Sequence, residues 1–147
     1  MDYVFQRKIY QQILQWKQEN NGKSALLVEG ARRIGKSTIV EEFAKREYKS
    51  YILIDFNKAS ERVLHLFDDL MDLDYIFLFL QRTYHTTLYQ RESVIIFDEV
   101  QKCPMARQAI KYLVQDGRYN YIETGSLISN YEVDFLLSRG SKICPIE

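Results

Sequence analysis

Two glycines separated by four residues, and followed directly by a lysine and a serine, constrain this chain more than any other feature. The segment is Gly30-Ala31-Arg32-Arg33-Ile34-Gly35-Lys36-Ser37, which fits the pattern G-x-x-x-x-G-K-[ST]. It follows an apolar run over residues 24–29 and precedes a segment of helical spacing over about 36–48. Since glycine has no Cβ, the backbone of such a loop can wrap closely around an anion. The segment predicts a phosphate-binding loop, and a glycine-rich turn without a ligand is the alternative.

The positions of this pattern have distinct chemical roles. The N–H groups of the loop and the start of the following helix point at phosphate oxygens. Lys36 would neutralise the β and γ phosphates, and the Ser37 hydroxyl would bind Mg²⁺. The other predicted nucleotide contacts in this segment are Gly30, Ala31, Arg32, Arg33, Ile34, Gly35 and Thr38. For the two arginines, simple exposure to solvent is the alternative.

Short apolar runs alternate with segments of helical spacing along most of the chain. The apolar runs cover residues 24–29, 51–55, 93–97 and 121–123. The helical segments cover residues 5–19, 36–48, 60–72, 74–90 and 106–115. Strands that are apolar throughout are typical of a parallel sheet with helices on both faces. We therefore predict an α/β fold with about four parallel strands and the phosphate loop after the first.

The last 18 residues, 130–147, break this alternation. Apolar and polar side chains alternate over 131–137, and Ser138-Arg139-Gly140-Ser141 has the composition of a turn. Residues 142–147 could form the returning strand of a hairpin. We predict a short hairpin-like tail, and hence a division into a nucleotide-binding domain over 1–129 and a tail over 130–147.

Two acidic residues, Asp98 and Glu99, follow the third apolar run directly. Beside a phosphate loop, Asp98 can hold Mg²⁺ through water, and Glu99 can orient and deprotonate the attacking water. Without the loop, a solvated strand end would be the better explanation. A GTPase would have glycine in place of Gln101, and it would have an Asn-Lys-x-Asp motif, which residues 57–60 lack. A small-molecule kinase requires no adjacent glutamate, because its acceptor is not water.

Thr124 and Ser126 follow the fourth apolar run. In open α/β sheets, ligands bind at the carboxyl ends of the strands. A hydroxyl there can touch the γ-phosphate or its attacking water, so we predict a catalytic role for Thr124 and a nucleotide contact for Ser126. A turn or capping role for Thr-Gly-Ser is the alternative. His65 and His85 fall on predicted helices without a matching partner, which favours structural or surface roles.

Charge and cysteine content exclude several other classes of protein. The chain has 20 basic and 20 acidic residues, so its net charge gives no case for nucleic acid or an anionic membrane. Cys103 and Cys144 form no C-x-x-C pair, which argues against a disulfide scaffold or a zinc site. The polar residues 1–20 are unlike a signal peptide, and the longest apolar run, 76–80, is too short to cross a bilayer. We therefore expect a cytoplasmic protein with free thiols.

Three segments, taken in order, resemble a family of prokaryotic AAA-like ATPases that carries a C-terminal domain of unknown function. They are Gly30 to Thr38, Ile95-Ile96-Phe97-Asp98-Glu99-Val100-Gln101-Lys102, and Ile122-Glu123-Thr124-Gly125-Ser126. The resemblance covers about residues 5–129. It implies that ATP binds with Mg²⁺, that Asp98 supports the metal and that Glu99 activates water. It also implies that Thr124 or Ser126 senses the γ-phosphate.

The sequence departs from that family after Ser126. Family members continue into a further strand, a helical lid and a winged-helix-like region, so we expect this chain to join two ends of a longer member near residues 127–130. The tail resembles a restriction-nuclease-like core, in which Asp134 and Glu147 would fit two acidic positions. The lysine expected two residues beyond Glu147 is missing, and a solvated hairpin is the alternative. We therefore do not predict nuclease activity.

The predicted reaction is Mg²⁺-dependent hydrolysis of ATP to ADP and phosphate, slow in the absence of a lid. A non-hydrolysing nucleotide-binding module or remnant is the first alternative. A nuclease-associated protein that processes DNA is the second. The sequence names no protein partner, no oligomeric state and no arginine supplied by a neighbouring subunit.

Overall fold

The structure, a computed structural model, describes residues 3–20, 22–30, 35–126, 136–139 and 142–145, with side chains for 7–20, 22–30 and 35–126. The helices are α1 (Tyr3–Asn20), α2 (Lys36–Glu47), α3 (Glu61–Leu64), α4 (Leu73–Thr83) and α5 (Pro104–Asp116). The strands are β1 (Leu26–Gly30), β2 (Ser50–Asp55), β3 (Ser93–Asp98), β4 (Asn120–Ser126), β5 (Leu136–Arg139) and β6 (Lys142–Pro145). Single 3₁₀ turns cover Leu66–Asp68 and Val100–Lys102.

One sheet of six strands, in the order β2-β3-β4-β1-β5-β6, organises the fold. The four strands from β2 to β1 run parallel, which confirms the predicted α/β fold with four parallel strands. Every residue of β3 is buried, as expected for an apolar strand in the middle of a sheet that is covered on both faces.

Two apolar clusters pack against the two faces of this sheet. Val94 and Ile96 of β3 face α1 and α2, where Trp16 and Phe43 are fully buried. Alternate residues of the same strand face α3, α4 and α5, and the rings of Phe97 and Phe67 lie 5.1 Å apart there. Alternation along the strand therefore divides the core into two layers. Among the described helices, none combines the length and the apolar character that crossing a bilayer requires.

The last two strands form the predicted hairpin-like tail. β5 pairs antiparallel with β1, and β6 pairs antiparallel with β5. The pairing places Ser138 opposite Leu27 and Arg139 opposite Leu26, so both residues belong to β5. The predicted turn at 138–141 therefore began two residues too early. Residues 127–135 lie outside the described part of the chain, and the division after residue 129 stays a prediction.

Two predicted helices were too long. The segment 60–72 divides into α3, which follows the capping residue Ser60, and a separate 3₁₀ turn. The segment 74–90 is helical only to Thr83, so His85 is not on a helix and has a positive φ of 52°. The side chain of Gln81 accepts a hydrogen bond from the backbone N–H of Leu88 at 2.9 Å, which holds the chain in a loop. Apolar spacing continued beyond α4 because Leu88 returns to the core.

Candidate functional site

Three adjacent parallel strands bring their carboxyl ends together at one edge of the sheet. β4 lies between β3 and β1, with Phe97 opposite Glu123 and Gly30 opposite Ser126. The register therefore places the next residue of β3, Asp98, beside Thr124. The chain positions that the sequence singled out after three separate strands meet here, as the rule for open α/β sheets requires.

The first turn of α2 contributes the lysine and serine of the phosphate-loop pattern. Gly35 caps the helix in the left-handed conformation, with φ 70° and ψ 29°, which glycine adopts without steric cost. Lys36 follows and is 3% exposed, although lysine is almost never buried without a partner. Residues 31–34 lie outside the described part of the chain, so the contacts of Ala31, Arg32, Arg33 and Ile34 stay predictions.

Asp98 connects the start of α2 to the end of β4. One oxygen, Oδ1, accepts hydrogen bonds from the Ser37 hydroxyl at 2.5 Å and from the Thr124 hydroxyl at 2.6 Å. No cluster of three or more His, Cys, Asp or Glu among the described residues could hold a metal ion. Mg²⁺ usually takes one or two protein oxygens and completes its shell with phosphate and water. Ser37 and Asp98 offer a set of oxygen donors that fits such an ion.

Glu99 is buried and has a left-handed backbone, with φ 58° and ψ 50°. This conformation is uncommon outside glycine, and it turns the chain sharply after β3. The carboxylate lies 3.4 Å from Lys36 Nζ, and Ser126 and Gln101 donate hydrogen bonds to it at 3.0 Å and 2.6 Å. Burial alone would raise the pKa of Glu99, but these hydrogen bonds and the charge of Lys36 together hold it below its ordinary value.

The two hydroxyls at the end of β4 have different surroundings. Thr124 is 0% exposed; it donates to Asp98 and accepts from the backbone N–H of Glu99 at 2.9 Å. Both hydrogen bonds hold the turn after β3 in place. Ser126 instead lies 3.1 Å from Lys36 Nζ and contacts the carboxylate of Glu99. Of the two, Ser126 is therefore the hydroxyl beside Lys36.

A family comparison agrees with this arrangement. The family described as "AAA domain" matches residues 22–136, which is well over half of the chain. The chain belongs to this family. The matched segment begins before β1 of the AAA domain, includes all the strand ends described above and extends to the first residue of β5. Comparison with curated proteins gave no significant match.

Gln101 of the AAA domain was not among the predicted site residues. It stands in the 3₁₀ turn after Glu99, and its side chain reaches back to the glutamate. The contact depends on the left-handed turn at Glu99, and no local sequence pattern predicts that turn. Thr38 is exposed on α2, where it lines a groove with Tyr10 of α1. It therefore lies outside the cluster at the strand ends, and its predicted nucleotide contact stays a prediction.

Other candidate residues lie away from the strand ends or outside the described residues. His65 is exposed and pairs with Glu61 and Asp68, in agreement with the predicted surface role. Asp134 and Glu147 are outside the described part of the chain, so their fit to two acidic positions stays a prediction. A groove of about 1010 Å³ lies between β1 and α5, and its lining includes the buried Glu123.

Proposed function

We propose that this AAA domain binds ATP with Mg²⁺ and hydrolyses it slowly to ADP and phosphate. One observation carries the proposal: a buried lysine, two acidic residues and three hydroxyls form a single hydrogen-bonded cluster beside the phosphate loop. The cluster consists of Lys36, Ser37, Asp98, Glu99, Thr124 and Ser126, and the backbone N–H of Glu99, which donates to Thr124, joins its two halves. Membership of the AAA domain family supports a nucleotide as the ligand.

Binding of the phosphates would use groups that now contact each other. Lys36 would leave Glu99 for the β and γ phosphates, where its charge is most useful. The start of α2 and the backbone between Gly30 and Gly35 would donate N–H groups to the phosphate oxygens. Ser37 and Asp98 would hold Mg²⁺, which supplies positive charge to the bound phosphates.

Hydrolysis requires one base and a well-placed phosphate. Glu99 would accept a proton from water while the water oxygen bonds to the γ phosphorus and the bond to the ADP oxygen breaks. Ser126 would contact the γ-phosphate. Thr124 would act by holding Asp98 and the backbone of Glu99, so its predicted catalytic role becomes a positioning role. Most of the rate would come from positioning and charge stabilisation.

Nucleotide binding is tested by titrating ATP with and without Mg²⁺ into wild type and Lys36→Ala. A charge-assisted hydrogen bond is worth about 1.5–3 kcal/mol, so we expect affinity to fall about 10- to 100-fold. Lys45→Ala is the matched control, because Lys45 is an exposed lysine of the same helix. Unchanged affinity in Lys36→Ala would remove the proposal. A parallel titration with GTP tests the preference for adenine.

Hydrolysis is tested by phosphate release from wild type and Glu99→Gln. General base catalysis contributes roughly 10²- to 10⁴-fold, so release should fall by at least about 100-fold while ATP still binds. The exposed Glu92→Gln is the matched control. Retained binding with equal background release in wild type and Glu99→Gln would favour the non-hydrolysing nucleotide-binding module.

A further inference from the structure

Gln101 holds one oxygen of the Glu99 carboxylate. Its side-chain Nε2 donates a hydrogen bond of 2.6 Å to Glu99 Oε2. A carboxylate only accepts hydrogen bonds, so the amide group must turn its nitrogen towards Glu99 and its oxygen away. The short distance is typical of a hydrogen bond to a charged acceptor.

The other end of the same amide has no hydrogen-bond partner among the residues that the structure describes. Gln101 Oε1 is buried there, and it lies where a Cβ on Gly125 would come within 3.4 Å. Burying an unpaired carbonyl oxygen costs free energy. The orientation therefore pairs the nitrogen with the carboxylate of Glu99 at the expense of the amide oxygen.

The partners of Glu99 differ in what happens to them when nucleotide binds. Lys36 contacts Oε1 at 3.4 Å, and Ser126 donates to both oxygens. Both residues are proposed phosphate ligands, so both would turn from Glu99 to the phosphates. Gln101 lies on the 3₁₀ turn after β3, and its side-chain amide donates a hydrogen bond to Oε2 of Glu99.

We propose that Gln101 is the positioning residue of Glu99. In the nucleotide-loaded protein it keeps Oε2 in place, and it leaves Oε1 to accept the proton of the attacking water. The inference rests on the proposed ATP hydrolysis. It predicts that the contact between Gln101 and Glu99 persists when the contacts of Lys36 and Ser126 with Glu99 are lost.

Gln101→Met tests this role, because methionine has a similar length but lacks the donor and the unpaired oxygen. We expect kcat to fall about 10-fold and KM to stay within about two-fold, since Gln101 is not one of the proposed phosphate contacts. The thermal midpoint should change little, because loss of the hydrogen bond to Glu99 is offset by removal of the unpaired buried oxygen. A merely structural role predicts the reverse, namely a lower midpoint with unchanged kcat. Gln108→Met, at an exposed glutamine of α5, is the matched control.

A second measurement follows the side-chain amide of Gln101 by ¹H–¹⁵N NMR. Its signal is identified by its absence from the spectrum of Gln101→Met. We expect one amide proton to be shifted downfield, to remain so with Mg²⁺ and a non-hydrolysable ATP analogue, and to lose the shift in Glu99→Gln. Loss of the shift when the analogue binds would overturn this inference alone. Spectra that do not change at all on addition of the analogue would remove the proposed function together with it.

Discussion

Replacing Glu123 by glutamine should stabilise the protein at pH 8 and change its stability little at pH 5. Glu123 lies on β4 and is 8% exposed, and its Oε1 has no hydrogen-bond partner in the described part of the chain. Burial raises its pKa from 4.5 to about 7; the charge of Arg107 on α5 opposes the shift, and that of Glu29 on β1 adds to it. The folded protein therefore prefers the protonated side chain.

The size of the effect follows from the two pKa values. Below about pH 4.5 the carboxyl is protonated in both states and costs nothing, whereas above about pH 7 the folded protein holds a buried charge. Stability is therefore lost as pH rises through this window. The interval of about 2.5 pH units corresponds to about 3 kcal/mol, nearly all of it present at pH 8. At pH 5 the cost is below about 1 kcal/mol.

Urea denaturation of wild type and Glu123→Gln at pH 5, 6, 7 and 8 measures this difference. The advantage of the variant should grow by about 2–3 kcal/mol over the series. Glu92→Gln is the control, since Glu92 is exposed and its substitution should give a difference that is nearly constant with pH. If the difference for Glu123→Gln also varied by less than about 0.5 kcal/mol, burial of Glu123 would not govern its protonation, and the reasoning would be wrong.

Substitutions at three further positions test a strand end, the core and the end of α5 through urea denaturation. Thr124→Val removes the hydroxyl that Asp98 and Glu99 share and should cost about 1–3 kcal/mol, whereas Thr124→Ser should keep most of that stability; equal losses would contradict this role. Trp16→Ala empties a fully buried site and should cost about 3–5 kcal/mol, and a cost below about 1 kcal/mol would contradict the packing of α1. Gly117→Ala should cost about 1 kcal/mol because φ is 84°, and Gly117→Asn should cost less.

Local sequence patterns predicted the helices and strands whose apolar spacing matches their burial along the whole element. The parallel strands appear as apolar runs because helices cover both faces of the sheet, most completely at β3, and α5 (Pro104–Asp116) covers the predicted helical segment 106–115. The segments 60–72 and 74–90 were predicted as continuous helices because apolar spacing does not distinguish a helix from a loop that returns to the core. Leu88 has that spacing, yet its backbone is bound by Gln81 in a loop.

For the site, local sequence indicated the residue types but not their partners. Asp98 and Glu99 were predicted from their position after the third apolar run, and Thr124 and Ser126 from theirs after the fourth; in the structure Asp98 ends β3, and both Thr124 and Ser126 belong to β4. The sequence could not show that Thr124 contacts Asp98 whereas Ser126 contacts Lys36, because these contacts depend on the register of β4 between β3 and β1. Nor could it find Gln101, whose contact requires the left-handed backbone of Glu99.

The sequence by itself determined the glycine-bounded loop, the α/β fold around it and the acidic pair at a strand end, because neighbours along the chain specify those features. Tertiary structure alone decided that Lys36 is buried against Glu99 and Ser126, residues 63 and 90 positions away. It also decided that Glu123 is buried in a groove between β1 and α5. Burial and charge pairing depend on which strands lie side by side, and strand order is a property of the folded chain.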